Sequence, residues 1–153
     1  MRKGDCYMNP SVSTLKDELI QTLKTNYGYS PEDATDRQMY GSVLTVVQSY
    51  LSRKRADHLD SLKQNDKKRI YYMSMEFLVG RSLRNNLYNL NMESAMKQAV
   101  SELGFDLETI YDMEPDPGLG NGGLGRLASC YMDAATTLEY PFTGFSIRYE
   151  FGI

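Results

Sequence analysis

Residues 118–127 read GLGNGGLGRL, five glycines in ten positions, and a helix-like run follows them. Glycine in a helix interior costs about 1 kcal/mol relative to alanine, so this density implies that something needs the backbone bare. The stretch fits G-x-G-x-x-G twice, at Gly118, Gly120 and Gly123 and again at Gly120, Gly122 and Gly125. A dinucleotide fingerprint needs a strand immediately before it and an acidic residue about 20 positions on. The preceding DMEPDP is acidic, carries Pro115 and Pro117 and lacks β-branched residues, and Glu139 falls at a helix end, so the nucleotide reading is disfavoured. No Gly-Lys-Ser/Thr follows, which excludes a Walker A loop.

Two uses of the glycines stay open. A helix N-terminus carries unpaired N–H donors and partial positive charge, and side-chain-free residues would let an anion reach them. Asn121 would add an amide and Arg126 a guanidinium one turn in. The alternative is close packing of this turn against another element. Glu76, just after a presumed strand, is a second candidate. It could hydrogen-bond sugar hydroxyls beyond the strand's carboxyl end, or pair with Arg81 or Arg84.

The rest of the chain narrows the chemistry. Its 153 residues, 41% hydrophobic and 24% charged, suit one ordinary core, and a net charge of −3 points away from nucleic acid. Cys6 and Cys130 are the only cysteines and suit reduced cytosolic thiols. His58 is the only histidine and lies on a charged helix face, so a multi-histidine metal site is excluded and a triad has nowhere else to run. No apolar run nears the about 20 residues of a membrane span, and the N-terminus has no signal-like apolar core.

Helical periodicity dominates the first half. Leu15, Leu19 and Leu23 follow the cap candidates Ser11 and Ser13, and Gly28 can end that helix. Thr35 and Gln38 form a capping-box pattern ahead of Tyr40, Val43, Leu44, Val47 and Leu51 on one face. Residues 52–69 read as a charged exit and connection, with Arg53, Lys54 and Arg55 solvated. IYYMSM (70–75) reads as a buried strand and FLVGRSLRNNLYNL as a helix despite Gly80. Asn91 is expected to cap a helix closed by Gly104, and Asp106 to start a short one. After the glycines, a helix is expected to turn Leu127, Ala128, Tyr131, Ala134, Ala135 and Leu138 inward until Pro141. Phe145, Ile147, Tyr149 and Phe151 then alternate as a strand. The order implies an α/β protein with a parallel crossover, and two strands alone make a poor sheet, so the chain is expected to be incomplete at its C-terminal end.

Two long segments go beyond spacing. RIYYMSMEFLVGRSLRNNLYNL and GLGNGGLGRLASCYMDAATTLEYPFTGFSIRYEFG closely resemble the α-glucan (glycogen, starch and maltodextrin) phosphorylases, and ATDRQMY resembles the start of that family's early helix. The resemblance implies a cytoplasmic pyridoxal 5'-phosphate enzyme, usually a homodimer, that uses inorganic phosphate to release terminal α-1,4-linked glucose as glucose 1-phosphate. It implies a large two-domain, Rossmann-like (GT-B-like) glycosyltransferase fold. Residues 1–33 would be an N-terminal arm with the first helix, and 34–153 an incomplete first α/β domain. Gly122 and Gly123 would present N–H groups to phosphates, Asn121 and Leu124 would line the glucose pocket, and Glu76 would sit near the sugar. The cofactor lysine and most of the basic phosphate site belong to a second domain with no counterpart here, so the chain alone is expected to be inactive. The alternative is a non-catalytic truncated module that binds glucan or a full-length partner. Lys54-Arg55 stands where many members have Arg-Trp, and LDSLKQND replaces the tyrosines of the animal activator site. The N-terminal arm lacks the animal phosphorylation segment. The resemblance therefore carries neither nucleotide control nor covalent activation to this chain.

Overall fold

Ser11 opens the first helix by accepting the Thr14 N–H on its hydroxyl at 3.1 Å, which satisfies one of the donors a helix start leaves unpaired. Helix α1 (Val12–Tyr27) buries Leu15, Leu19 and Leu23 in one stripe. It ends where Gly28, at φ 75°, adopts a left-handed conformation that costs a side-chain-bearing residue energy. Its N–H caps the carbonyls of Leu23 and Lys24. These features are local, and all match expectation.

A computed structural model describes residues 10–65, 68–147 and 149. The chain forms two compact units, one of Met1–Lys54 with Ser82–Pro115 and one of Arg55–Arg81 with Asp116–Ile153. Among the described residues, no helix is long and apolar enough to cross a membrane.

In the first unit, Thr35 and Gln38 form the expected reciprocal cap. The Thr35 N–H donates to Gln38 Oε1 at 2.8 Å and the Gln38 N–H to Thr35 Oγ1 at 3.4 Å. Helix α2 (Asp36–Asn65) starts there, and its residues through Lys54 belong to this unit. Its buried face is Met39, Val43, Val46 and Val47, with Tyr40, Leu44 and Leu51 only partly buried at the margin. The expected connection after residue 52 is instead helix as far as Asn65, because Arg, Lys, Leu and Gln are good helix formers that need no buried face to stay helical in a long rod. Arg53, Lys54, Arg55 and His58 are exposed, as expected.

Helices α3 (Leu83–Asn89), α4 (Glu93–Glu102) and α5 (Leu107–Asp112) complete this unit and bury Leu83, Leu87, Met92, Met96, Val100, Leu107 and Ile110. The helix expected from Phe77 begins only at Leu83. Gly80 takes φ 73°, and the start is held by a distant group, the buried Glu114 carboxylate, which accepts the Ser82 N–H at 2.8 Å and the Leu83 N–H at 3.0 Å. Asn91 does not cap α4. It sits at φ 54° in the turn that closes α3, and Met92 precedes α4. Asp106 caps α5 as expected, and the Thr109 N–H it accepts at 3.0 Å holds its carboxyl below the ordinary aspartate range.

The second unit holds strands β1 (Ile70–Met73) and β2 (Phe142–Phe145), paired in parallel from Ile70↔Phe142 to Met73↔Phe145, with helix α6 (Gly123–Thr137) between them in sequence. The parallel crossover is as expected, but two details differ. The strand β1 is not buried: Tyr72 is partly covered, while Tyr71 and Met73 on the other face are 59% and 84% exposed, since two strands and one helix cannot enclose a sheet. The second strand starts before the alternating 145–151 segment and stops at Phe145, opposite Met73 at the end of β1. Arg148, Glu150 and Phe151 lie outside the described residues. Helix α6 buries Gly125, Ala128, Ser129 and Ala135, while Leu127, Tyr131, Ala134 and Leu138 are exposed, so the inward stripe is rotated toward its small residues. The helix stops at Thr137, before Pro141, with Glu139 at φ 56°. Tyr72 packs its ring against Phe77, Tyr131 and Phe142 at centroid distances of 6.1, 6.0 and 5.8 Å.

Candidate functional site

Beyond β1 the chain turns at Ser74, whose hydroxyl donates to the Glu76 carbonyl at 2.8 Å and accepts the Glu76 N–H at 3.2 Å. The next residues meet the glycine stretch at both of its ends. The Phe77 N–H donates to the Leu119 carbonyl at 2.8 Å, an isolated antiparallel bridge, and the Leu78 N–H donates to the Gly125 carbonyl at 3.1 Å. Arg126 Nη1 donates to the Leu78 carbonyl at 3.4 Å. The glycines therefore arch between two fixed feet.

The arch separates the two uses that the sequence leaves open, and each glycine falls on one side. A Cβ at Gly120 would stand 2.5 Å from Cβ and 2.6 Å from Cγ of Glu76, and φ there is 120°, so a side chain is excluded twice. At Gly125 it would stand 2.9 Å from Glu76 Cβ and 3.1 Å from Leu78 Cγ. These two glycines serve packing. Gly118 and Gly123 meet nothing within 4 Å, and Gly122 meets only Glu76 Oε2, at 3.9 Å. At these three positions nothing crowds the side of the backbone where a side chain would stand.

That open backbone is the start of α6. Gly122 occupies the cap position with extended φ −142° and ψ −176°, and no side chain caps the helix. The first intrahelical bond is Arg126 N–H to the Gly122 carbonyl at 3.3 Å, so the N–H groups of Gly122, Gly123, Leu124 and Gly125 precede the ladder. Asn121 is exposed beside them, and Leu124 is 76% exposed on the first turn, unusual for a leucine in a helix with a buried face. Glu76 is half-buried, with its stem against Gly120 and Gly125 and one carboxylate oxygen near Gly122. Of the two pairings considered for Glu76, that with Arg84 does not form, since Arg84 is engaged by Glu93 and Glu108 at 3.3 and 3.2 Å. Arg126 does not reach toward the open amides, since it is turned to Leu78. Among the described residues no strand directly precedes the glycines, which goes against the dinucleotide reading as the sequence does.

This arrangement can bind an anion through backbone donors beside a carboxylate and an apolar wall. Comparison with known proteins gives it a context. The Carbohydrate phosphorylase family model matches residues 100–153. Glycogen phosphorylase of Chlamydia trachomatis serovar D is 40% identical over 143 residues, which is 94% of this chain and 18% of that protein. Glycogen phosphorylase of Chlamydia pneumoniae is 42% identical over the same share of this chain, and the muscle form of Bos taurus is 44% identical. The chain belongs to the carbohydrate phosphorylase family. This phosphorylase-family chain spans about 17–18% of the length of these relatives, matching their N-terminal part. Its mostly helical α/β architecture with a small parallel sheet accords with that part.

The sequence brought Glu76 and residues 121–124 forward separately, and the structure puts them together. It also adds Phe77 and Leu78, which sequence reasoning missed, and assigns Gly120 and Gly125, noted only as members of the repeated motif, to packing. No signal in the sequence separated these two glycines from the others, because nothing in a glycine's local sequence reports a side chain that packs on it from a distant segment.

Proposed function

We propose that this chain supplies one wall of the active site of an α-1,4-glucan phosphorylase, which uses inorganic phosphate to release terminal glucose as glucose 1-phosphate. The observation that carries the proposal is the uncapped start of α6, with open backbone at Gly122 and Gly123, in a chain 40–44% identical to glycogen phosphorylases. Bare N–H groups at a helix start bind phosphate through both hydrogen bonds and the helix dipole.

Pyridoxal 5'-phosphate suits this site on one side only. The Gly122 and Gly123 N–H groups with the space before them fit phosphate oxygens, while the attachment lysine belongs to a second domain. When bound, the cofactor supplies a phosphate group that exchanges a proton with the substrate phosphate. The residues of this chain hold and orient. The Gly122 and Gly123 amides are preorganised donors, useful because they need no rearrangement as charge moves. Asn121 donates or accepts at glucose hydroxyls, the exposed face of Leu124 excludes water from the sugar, and the Glu76 carboxylate accepts from a sugar hydroxyl. The complete enzyme is a two-domain, GT-B-like, cytoplasmic homodimer in this proposal.

The test is Gly122→Val in the intact protein, with phosphorolysis of maltodextrin as the readout. A side chain placed between the amides and phosphate should reduce kcat/KM by about 100-fold or more, the scale of losing a preorganised donor. Near-normal activity would reduce the glycines to packing elements and overturn the proposal.

A further inference from the structure

The side chains of Glu76 and Leu78 lie against the glycine arch, with the closest approaches at Cβ and Cγ of Glu76 and Cγ of Leu78. The middle of the arch is uncrowded, since a Cβ at Gly123 would meet nothing within 4 Å and one at Gly122 only Glu76 Oε2, at 3.9 Å. Its feet are not free. Leu119 is tied to Phe77 and Gly125 to Leu78 by backbone hydrogen bonds of 2.8 and 3.1 Å. Arg126 closes the far foot again on the Leu78 carbonyl. Between the ties, the Glu76 stem fills the space that side chains at Gly120 and Gly125 would need. Ser129 Oγ donates to the same Gly125 carbonyl at 3.1 Å, which fastens that foot to the next turn of α6.

We propose that Glu76–Leu78 is a clasp that sets the curvature of residues 119–125, with the Glu76 stem and the Leu78 side chain as positioning residues for the Gly122 and Gly123 amides. The phosphorylase proposal matters here only for what those amides bind. Hydrogen bonds to both feet fix where the arch begins and ends, but its height depends on how closely backbone and side chain pack. Gly125 shows the effect most clearly. Alanine is intrinsically better than glycine by about 1 kcal/mol inside a helix, yet here its methyl would press on Glu76 and Leu78 and lift the arch off the clasp. The charge of Glu76 is not needed for this, because the close contacts at Gly120 fall on Cβ, Cγ and the carboxyl carbon Cδ, all of which glutamine reproduces in shape.

The test measures hydrogen–deuterium exchange over residues 118–127 of the intact protein, together with the KM for inorganic phosphate. Glu76→Gln keeps the stem and should keep wild-type exchange. Glu76→Ala, Leu78→Ala and Gly125→Ala should each speed exchange of the arch about tenfold, as expected for local opening made easier. They should raise the phosphate KM more than they lower kcat, while Gly118→Ala, with no neighbour to press, should leave exchange unchanged. Unchanged exchange in both Glu76→Ala and Leu78→Ala would overturn the clasp, and so would Glu76→Gln behaving like Glu76→Ala. If Gly125→Ala fails to fold, the contrast between the two Glu76 variants still decides. Should the variants loosen the arch as expected while inorganic phosphate leaves wild-type exchange unaltered, the clasp stands and the phosphorylase assignment of the amides falls.

Discussion

Leu87 in the first unit is fully buried, whereas Leu138 in the second is 63% exposed, and the contrast holds across the two units. The largest fully buried side chains, from Leu15 to Ile110, all belong to the first unit. The second buries mainly Phe77, Leu62 and the small residues of α6, and it leaves Met73, Met75, Leu124, Phe145 and Ile147 exposed. The candidate site lies in the second unit. A helical cluster can close on itself, because each helix satisfies its own backbone and needs only one apolar stripe covered. Two parallel strands and one helix cannot, since both faces of a parallel sheet call for cover. The lesson is that the glycine arch here rests on local hydrogen bonds and tight glycine packing rather than on a deep core.

Substitutions can break or sharpen this contrast. The largest effect is expected from Leu87→Ala, which should cost about 2–5 kcal/mol in urea unfolding followed by circular dichroism, because it opens a cavity in a closed cluster. A cost no larger than at an exposed site would mean that the first unit is not the stable one. Next comes Glu114→Ala, which strips two amide donors at the start of α3 of their acceptor and should cost about 1–3 kcal/mol. Glu114→Gln, which retains an acceptor oxygen, should recover part of that loss, and equal losses for both would show the charge rather than the cap to be what matters. Gly28→Ala should cost about 1 kcal/mol in thermal unfolding, from the left-handed backbone alone.

The fourth effect appears only in alkali. Burial, aided by the charge of Glu93, pushes the Tyr111 phenol up to about 12. Its ordinary value is near 10, so the folded state resists an ionisation that the unfolded state accepts. The stability contributed by neutral Tyr111 is therefore complete below the unfolded value and is lost as pH rises through the folded one. Tyr111→Phe should flatten the alkaline fall in unfolding midpoint, and an unchanged slope would remove Tyr111 as its cause. The smallest change belongs to the second unit. Leu138→Ala should shift stability by no more than about 0.5 kcal/mol, as for other exposed positions, and a core-sized loss would erase the difference between the units.

Legibility followed the range of the physics. Ser11, the Thr35–Gln38 pair, Asp106 and Gly28 could be read from sequence because a cap acts within a few residues. The stripe Leu15, Leu19, Leu23 could be read because periodicity reports which face is covered. The start of α3 could not, since its cap is Glu114, remote in sequence, and Gly80 gave only an ambiguous sign. The inward face of α6 was misjudged for a related reason. Large residues usually mark the buried stripe, but here it is made of small ones, and at Gly125 the close approach of Glu76 and Leu78 leaves no room for a side chain. At the site, Gly122 and Gly123 were legible as a bare helix start, and family resemblance gave them a ligand. That Gly120 and Gly125 serve a different purpose was hidden, because glycine looks the same in sequence whether it admits a phosphate or a neighbouring side chain.

By itself the sequence determined the helices of the first half with their caps, the parallel order of the two strands, the bare start of α6 and kinship with the phosphorylases. All of these are set by short-range backbone chemistry, by hydrophobic period or by long identical stretches. Only the tertiary structure decided which glycines are open and which are pressed, that Arg126 turns to Leu78, and that Glu76 lies against the arch it was expected merely to accompany. These depend on contacts between segments far apart in the chain, where tenths of an ångström between a Cβ that is absent and a side chain that is present determine what can fit.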